Sequence, residues 1–161
     1  MVYSAQQLEG DLVREVEALY FDYATAIDEN IMQWPDLFTD GAVYRATSRT
    51  IGRAGLPHVA IACEGKKAIR KLAMAIREST AYLDGVMRHT ATQVRITYRD
   101  EHLLKVLADF AVYESSESAT RLFAVGRYQD VLISRGGGLR FQDKVCIYDG
   151  NLAISPILYP L

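Results

Sequence analysis

The sequence predicts an α+β fold, with helices gathered on one face of an antiparallel meander. Three observations carry that prediction. In the stretches 8–27 and 65–81 apolar residues recur at three- and four-residue steps, whereas from residue 86 onward they alternate at two-residue steps. The alternating runs are separated by "RDE", "SSES" and "RGGG", connections of hairpin length and composition. At 161 residues, with half of them hydrophobic, the chain is long enough to bury a core and is read as one domain, 1–161.

The first helix is placed by Ser4 and Gln7, which fit a capping box, and by Leu8, Leu12, Val16, Leu19, Tyr20, Tyr23 and Ile27, which form one apolar stripe. Asp28, Glu29 and Asn30 end it. "IMQWPDLF" (31–38) predicts a short helix with Pro35 tolerated near its first turn. "TDG" (39–41) is expected to turn the chain, and "AVYRAT" (42–47) alternates like a half-buried strand. Residues 48–64, with Gly52, Gly55 and Pro57, are expected to be loop. A third helix is predicted over 65–81, with Ile69, Leu72, Ala73 and Ile76 inward. Four strands follow in "VMRHTATQVRITY", "HLLKVLADFAVYES", "ATRLFAVGRYQDVLIS" and "LRFQDKVCIYD". Gly136 to Gly138 join two of them, so the run is a turn and not a phosphate cradle.

Net charge is −2, and the densest cationic cluster, Lys66, Lys67, Arg70 and Lys71, alternates with apolar residues in a helical pattern. That is a solvated helix face rather than a nucleic-acid footprint. Cys63 and Cys146 are isolated, too few for a disulfide framework or a four-thiolate metal site, and suit a reducing compartment. The N-terminus lacks the basic start and unbroken apolar stretch of a signal peptide, and no run has membrane-spanning length. A cytoplasmic chain without membrane contact is expected. In the tail "NLAISPILYPL", apolar character persists to Leu161, so the tail docks either in its own core or against another subunit.

Chemistry-bearing residues are sparse. His58, His89 and His102 are the only histidines, and none has a second at the spacing that puts two ligands on one helix face. Neither cysteine has a nearby histidine, so the paired motif of a Rieske cluster is absent. No metal and no cofactor are expected in this chain. His89 shares a strand face with Met87 and Ala91; it is either a hydrogen-bonded sheet histidine or a general base paired with Asp28. Asp28 lies where the first helix stops, which alone explains a carboxylate there. Asp109 alternates with Leu107 and Ala111, and is either paired with an arginine or facing solvent. No nucleophile motif such as G-x-S-x-G occurs. Tyr20, Tyr23, Tyr44, Tyr113 and Tyr128 could line a ligand cage, but packing at the sheet–helix boundary or at an interface is the plainer reading.

The order of a long helix, a "W..LF.D.A.Y" wedge, another helix and a meander resembles the cone-shaped, nuclear transport factor 2-like superfamily. That resemblance implies N-terminal helices on a long curved antiparallel or mixed sheet. Within it, "QWPDLFTDGAVYRAT", "MRHT", "GRYQDVLI" and "LRFQDKVCIYDGNLAISPILYPL" resemble the small (β) subunits of aromatic-ring-hydroxylating dioxygenases, nearest the terephthalate, salicylate and anthranilate branch. The resemblance implies a non-catalytic structural subunit. Its partner would be a large α subunit carrying the Rieske [2Fe-2S] cluster and mononuclear Fe(II), assembled as α3β3. Ferredoxin or reductase components would deliver NADH-derived electrons for hydroxylation or cis-dihydroxylation of an aromatic carboxylate. Trp34, Phe38, Tyr44, Tyr159 and Leu161 are then the candidate packing or interface residues. The superfamily also offers a stand-alone isomerase or dehydratase of the SnoaL or scytalone dehydratase kind, using His89 with Asp28, and a ligand-binding adaptor. Isomerases of this fold place their base on the strand after the "LF.DD" turn; here "AVYRATSRT" offers Arg45 and Arg49 and no acid.

Overall fold

The computed structural model describes residues 5–49, 59–80, 85–134, 136–150 and 159–161. Helix α1 spans Ala5–Glu29. Its stripe is buried at Val16, Leu19, Tyr20, Tyr23 and Ile27 and half-buried at Leu12. Ser4, the expected cap, lies outside the described residues. The short helix is a 3-10 turn, Trp34–Leu37, with Pro35 in its first positions, where the missing N–H has no helical partner to lose. Helix α2, Lys66–Thr80, buries Ile69, Ala73 and Ile76.

Six strands form one mixed sheet: β1 (Phe38–Ser48), β2 (Val59–Glu64), β3 (Val86–Arg99), β4 (Leu103–Ser115), β5 (Thr120–Ser134) and β6 (Leu139–Tyr148). Their spatial order is β2-β1-β6-β5-β4-β3. Strands β3 to β6 pair antiparallel in sequence order, β1 lies parallel to β6, and β2 closes the edge antiparallel to β1. Both helices pack on the same face, and the core fills the space between.

Two sequence expectations change here. "TDG" does not end an element: β1 runs through it, and the pairing with β6 skips from Phe38↔Phe141 to Val43↔Asp143. The extra residues bulge out, and Gln142 fills the bulge by meeting the Thr39 hydroxyl at 2.7 Å and the Gly41 carbonyl at 3.4 Å. Residues 59–64, expected as loop, form β2. Ile61 and Cys63 are buried there, and a six-residue strand is too short a signal beside the preceding glycines and proline. Residues 50–58 lie outside the described residues.

The edge strand β3 carries a bulge at Gln93, whose φ of 52° breaks the pairing between Thr92 and Arg95. A bulged edge is a poor template for another strand. No described helix is long and apolar enough to cross a membrane.

At Gly126, paired with Tyr148, β6 backbone occupies the space a side chain would need. A Cβ placed there would lie 2.1 Å from the Ile147 carbonyl oxygen and 2.7 Å from the Tyr148 Cα. Backbone cannot rotate away as a side chain does. Gly126→Ala is therefore expected to cost about 1–3 kcal/mol or more, read as a lowered denaturant midpoint with unchanged m-value. An unshifted midpoint would mean that the two strands separate at no cost.

Candidate functional site

Among the described residues the buried polar and charged side chains are Ser48, His89, Asp130 and Lys144, and the last three belong to two polar groups. The first joins the end of α1, the start of β3 and the tail. Asp28 Oδ1 lies 2.6 Å from His89 Nδ1, and Asp28 Oδ2 accepts the His89 backbone N–H at 2.9 Å. The helix ends where its last turn can reach across to β3, which explains the position of Asp28. Side-chain exposure is 1% for His89 and 4% for Asp28. The other ring nitrogen, Nε2, lies 3.1 Å from the Pro160 carbonyl oxygen, which can only accept. Nε2 therefore carries a proton directed at the tail. The Asp28 carboxyl and the Pro160 carbonyl thus occupy both ring nitrogens of His89. Tyr159 stacks on the imidazole with centroids 5.8 Å apart.

The tail is held by more than His89. Tyr23 donates its hydroxyl proton to the Leu161 carbonyl oxygen at 2.6 Å, and the Leu161 N–H donates to the Tyr44 hydroxyl at 3.0 Å. Cys146 Sγ lies 3.2 Å from the same Leu161 oxygen. The described end of the tail, Tyr159–Leu161, docks in the chain's own core, with Leu161 buried, and residues 151–158 lie outside the described residues.

The second polar group is an ion pair, Lys144 with Asp130, directly opposite each other on β6 and β5. Nζ lies 2.9 Å from Asp130 Oδ2, and both side chains are wholly buried. Tyr20 donates to the same oxygen at 2.5 Å, and the Val145 N–H lies 3.3 Å from Oδ1. Four rings surround the ammonium: Tyr128 at 3.4 Å, Tyr23 at 4.3 Å, Phe141 at 4.6 Å and Tyr20 at 5.0 Å to their centroids. Burial pushes the Asp130 carboxyl above its ordinary range, with the charge of Lys144 pulling the other way.

Burial also raises the phenols of Tyr20, Tyr23, Tyr44 and Tyr128 well above the usual 10.0, and pushes Tyr159 and the Cys146 thiol up to about 12. The native state thus holds protons that the unfolded chain releases near pH 10. Their stabilising share is complete below that pH and is lost as pH rises toward the folded values. Stability is expected to fall by up to roughly 1.4 kcal/mol per pH unit for each such group. Urea midpoints measured from about pH 8 to 11 check this; a flat profile contradicts it.

An open cleft of about 350 Å³ flanks the first group, lined among others by Asp28, Met32, Arg77, Met87 and Tyr159. Among the described residues, no group of three or more His, Cys, Asp and Glu side chains is arranged to hold a metal ion. Asp109 pairs with Arg127 at 2.7 Å on the half-exposed face. Of the five tyrosines considered for a cage, four are buried in the core and Tyr113 is exposed.

The family model described as a SnoaL-like domain matches residues 11–144. The chain belongs to the SnoaL-like domain family. This SnoaL-like chain is 23% identical over 149 residues to the small subunit of anthranilate 1,2-dioxygenase from Burkholderia cepacia, covering 91% of this chain and 92% of that one. It is 25% identical to the β1 subunit of the terminal oxygenase component of terephthalate 1,2-dioxygenase from a Comamonas species, covering 93% and 100%. Among solved structures, a β subunit assigned to the aromatic-ring-hydroxylating dioxygenases in Novosphingobium aromaticivorans superposes with TM-score 0.86 at 23% identity, covering 96% and 99%. The family match and that superposition together show the expected nuclear transport factor 2-like α+β fold.

Within this SnoaL-like frame, Trp34, Phe38, Tyr44 and Leu161 are buried in the core of the chain, and Tyr159 is half-buried between His89 and the cleft. His89 and Asp28 come together, with His89 Nε2 turned to the Pro160 carbonyl of the tail. His58 lies outside the described residues, and His102 is exposed in the β3–β4 connection. The Lys144–Asp130 pair was not singled out from sequence. Its signal was present, because Tyr128, Asp130 and Leu132 alternate inward on β5, as do Lys144, Cys146 and Tyr148 on β6.

Proposed function

We propose that this chain is the non-catalytic β subunit of a cytoplasmic, multicomponent aromatic-ring-hydroxylating oxygenase. Its large α partner carries a Rieske [2Fe-2S] cluster and mononuclear Fe(II), and the two assemble as α3β3. The ring attacked belongs to an aromatic carboxylate, hydroxylated or cis-dihydroxylated with O2 and NADH-derived electrons passed on by a ferredoxin or reductase. The observation that carries this reading is similarity along nearly the whole length to small subunits of anthranilate and terephthalate dioxygenases. The interior supports it as well. His89 directs Nε2 at the Pro160 carbonyl, and Tyr23 and Tyr44 bond the backbone of Leu161, so these groups act in holding the chain together.

Co-expression with the large oxygenase subunit of the same source tests the proposal. The two should co-purify in equal numbers, with NADH-dependent oxygenation requiring both together with the electron-transfer components. The isolated chain should carry no iron and turn over nothing. Steady product from the isolated chain with an enone or phenol would instead assign catalysis to His89 and Asp28.

A further inference from the structure

The outer faces of the two helices carry opposite charge. Glu15, Glu17 and Asp22 stand exposed on α1, and Lys67 and Lys71 stand exposed on α2. Among the described residues, none of these side chains enters an ion pair within the chain. Their neighbours do: Asp36 meets Lys66 at 3.6 Å and Arg70 at 2.8 Å, and Asp11 pairs with Arg14. Unmatched charge is left over, negative on one helix and positive on the other.

Each of these surfaces surrounds an apolar side chain. Phe21 is 70% exposed and Met74 42% exposed. At 3.6 residues per turn, Glu17 and Phe21 stand about one turn apart on the face of α1 opposite buried Leu19 and Tyr23. Lys67, Lys71 and Met74 share the face of α2 opposite buried Ile69 and Ala73. An aromatic or methionine anchor ringed by charge has the composition of an interface core and its rim.

The placement of the helices points to the partner. Along the sheet order β2-β1-β6-β5-β4-β3, α2 packs on β1 and β2, and α1 packs chiefly on β3. The acidic and basic surfaces therefore lie toward opposite edges of one helix layer. A second copy brings to each surface the charge that it lacks. We infer that copies of this chain associate head to tail, with acidic α1 of one against basic α2 of the next and Phe21 and Met74 within the contact. A head-to-tail contact uses a different surface on each copy, so it closes into a ring or runs on as a filament. Closure at three is the number that the proposed α3β3 assembly needs, and that clause alone rests on the proposed oxygenase role.

Sedimentation equilibrium of the isolated chain tests the contact. At concentrations on the order of 100 µM, where micromolar contacts saturate, the mass should reach three copies. Raising sodium chloride from about 0.1 to 1 M shortens the screening length from ~10 to ~3 Å and should weaken association at least tenfold. Phe21→Ser should weaken it as much without moving the unfolding midpoint. Glu17→Lys with Asp22→Lys should leave the chain monomeric, and so should Lys67→Glu with Lys71→Glu. Mixed in equal amounts, these two proteins should associate again, because the altered helices complement each other and so do the unaltered ones. A chain carrying all the reversals should associate like the parent. Loss of fold cannot mimic that restoration. A parent that stays monomeric, a mass that stops at two copies, or a mixture that does not associate overturns the inference; so does association indifferent to salt. If the chain co-purifies with a large oxygenase subunit yet stays monomeric alone, the head-to-tail contact falls and the proposed role stands. If the isolated chain forms threefold rings and no such subunit binds, the role falls and the contact stands.

Discussion

Asp130→Ala is expected to destabilise the fold by about 3–5 kcal/mol, because it leaves the Lys144 ammonium buried without its counterion. Nζ has Asp130 Oδ2 at 2.9 Å and no exposed surface through which to reach water. The aromatic cage sets the lower end of the range. With Tyr128 at 3.4 Å and Tyr23 at 4.3 Å, the ring faces retain about 2 kcal/mol or more of attraction for a desolvated cation. That is less than the several kcal/mol that burying an unpaired ammonium costs, so the loss persists. Removing both charges, as in Asp130→Leu with Lys144→Met, should recover much of the stability. Such a double-mutant cycle isolates the coupling from the burial. Chemical denaturation of the four proteins measures it; a single mutant within about 0.5 kcal/mol of the parent, the cost of an ordinary surface change, would show that water reaches Nζ.

Lys144→Met alone behaves differently, and pH reveals why. Burial already raises the Asp130 carboxyl above the ordinary 3.8, and the Lys144 charge is what opposes that rise. Without the lysine, the folded carboxyl takes up a proton more readily than the unfolded one. Its contribution is then fully present below the unfolded value and is lost as pH rises through the folded one. The variant should approach the parent in mild acid and fall away toward neutrality. The opposite slope would mean that the Tyr20 and Val145 donors, not Lys144, hold the carboxylate ionised.

Local periodicity made the helices and the four C-terminal strands legible, and the reason is length. β3 to β6 each alternate over ten or more residues, long enough for one inward face to declare itself, and α1 shows its stripe over six turns. β2 is six residues long, and the β1 bulge placed turn residues inside a strand. In both, pairing with neighbours distant in sequence overrode the local signal. The same contrast holds in the interior. His89 with Asp28 could be read as a pair, but nothing local says that Pro160 meets the second ring nitrogen 71 positions away. Lys144 and Asp130 were hidden by their charge, which argues for the surface until the alternation of Cys146 and Tyr148 is followed back to them.

Trp34→Ala is expected to cost about 3–5 kcal/mol, as for other large buried aromatics. The indole is fully buried and stands edge-on to Tyr44 at 5.1 Å, Phe38 at 5.5 Å and Tyr23 at 6.3 Å. It joins the 3-10 turn to β1 and α1, and two of its three ring neighbours, Tyr23 and Tyr44, are the residues that hold Leu161. A cavity there loosens the tail as well as the wedge. Its Nε1 is the buried side-chain nitrogen or oxygen without a hydrogen-bond partner among the described residues, so Trp34→Phe, which removes that donor and keeps a ring, should lose less than half as much. In the proposed oxygenase, Trp34→Ala should lower the yield of assembled complex while iron per intact complex stays constant, because Trp34 supports the fold from within the core. Size-exclusion yield and iron analysis separate the cases. Full yield with poor turnover would move Trp34, and the tail it supports, from holding the assembly together to taking part in the reaction.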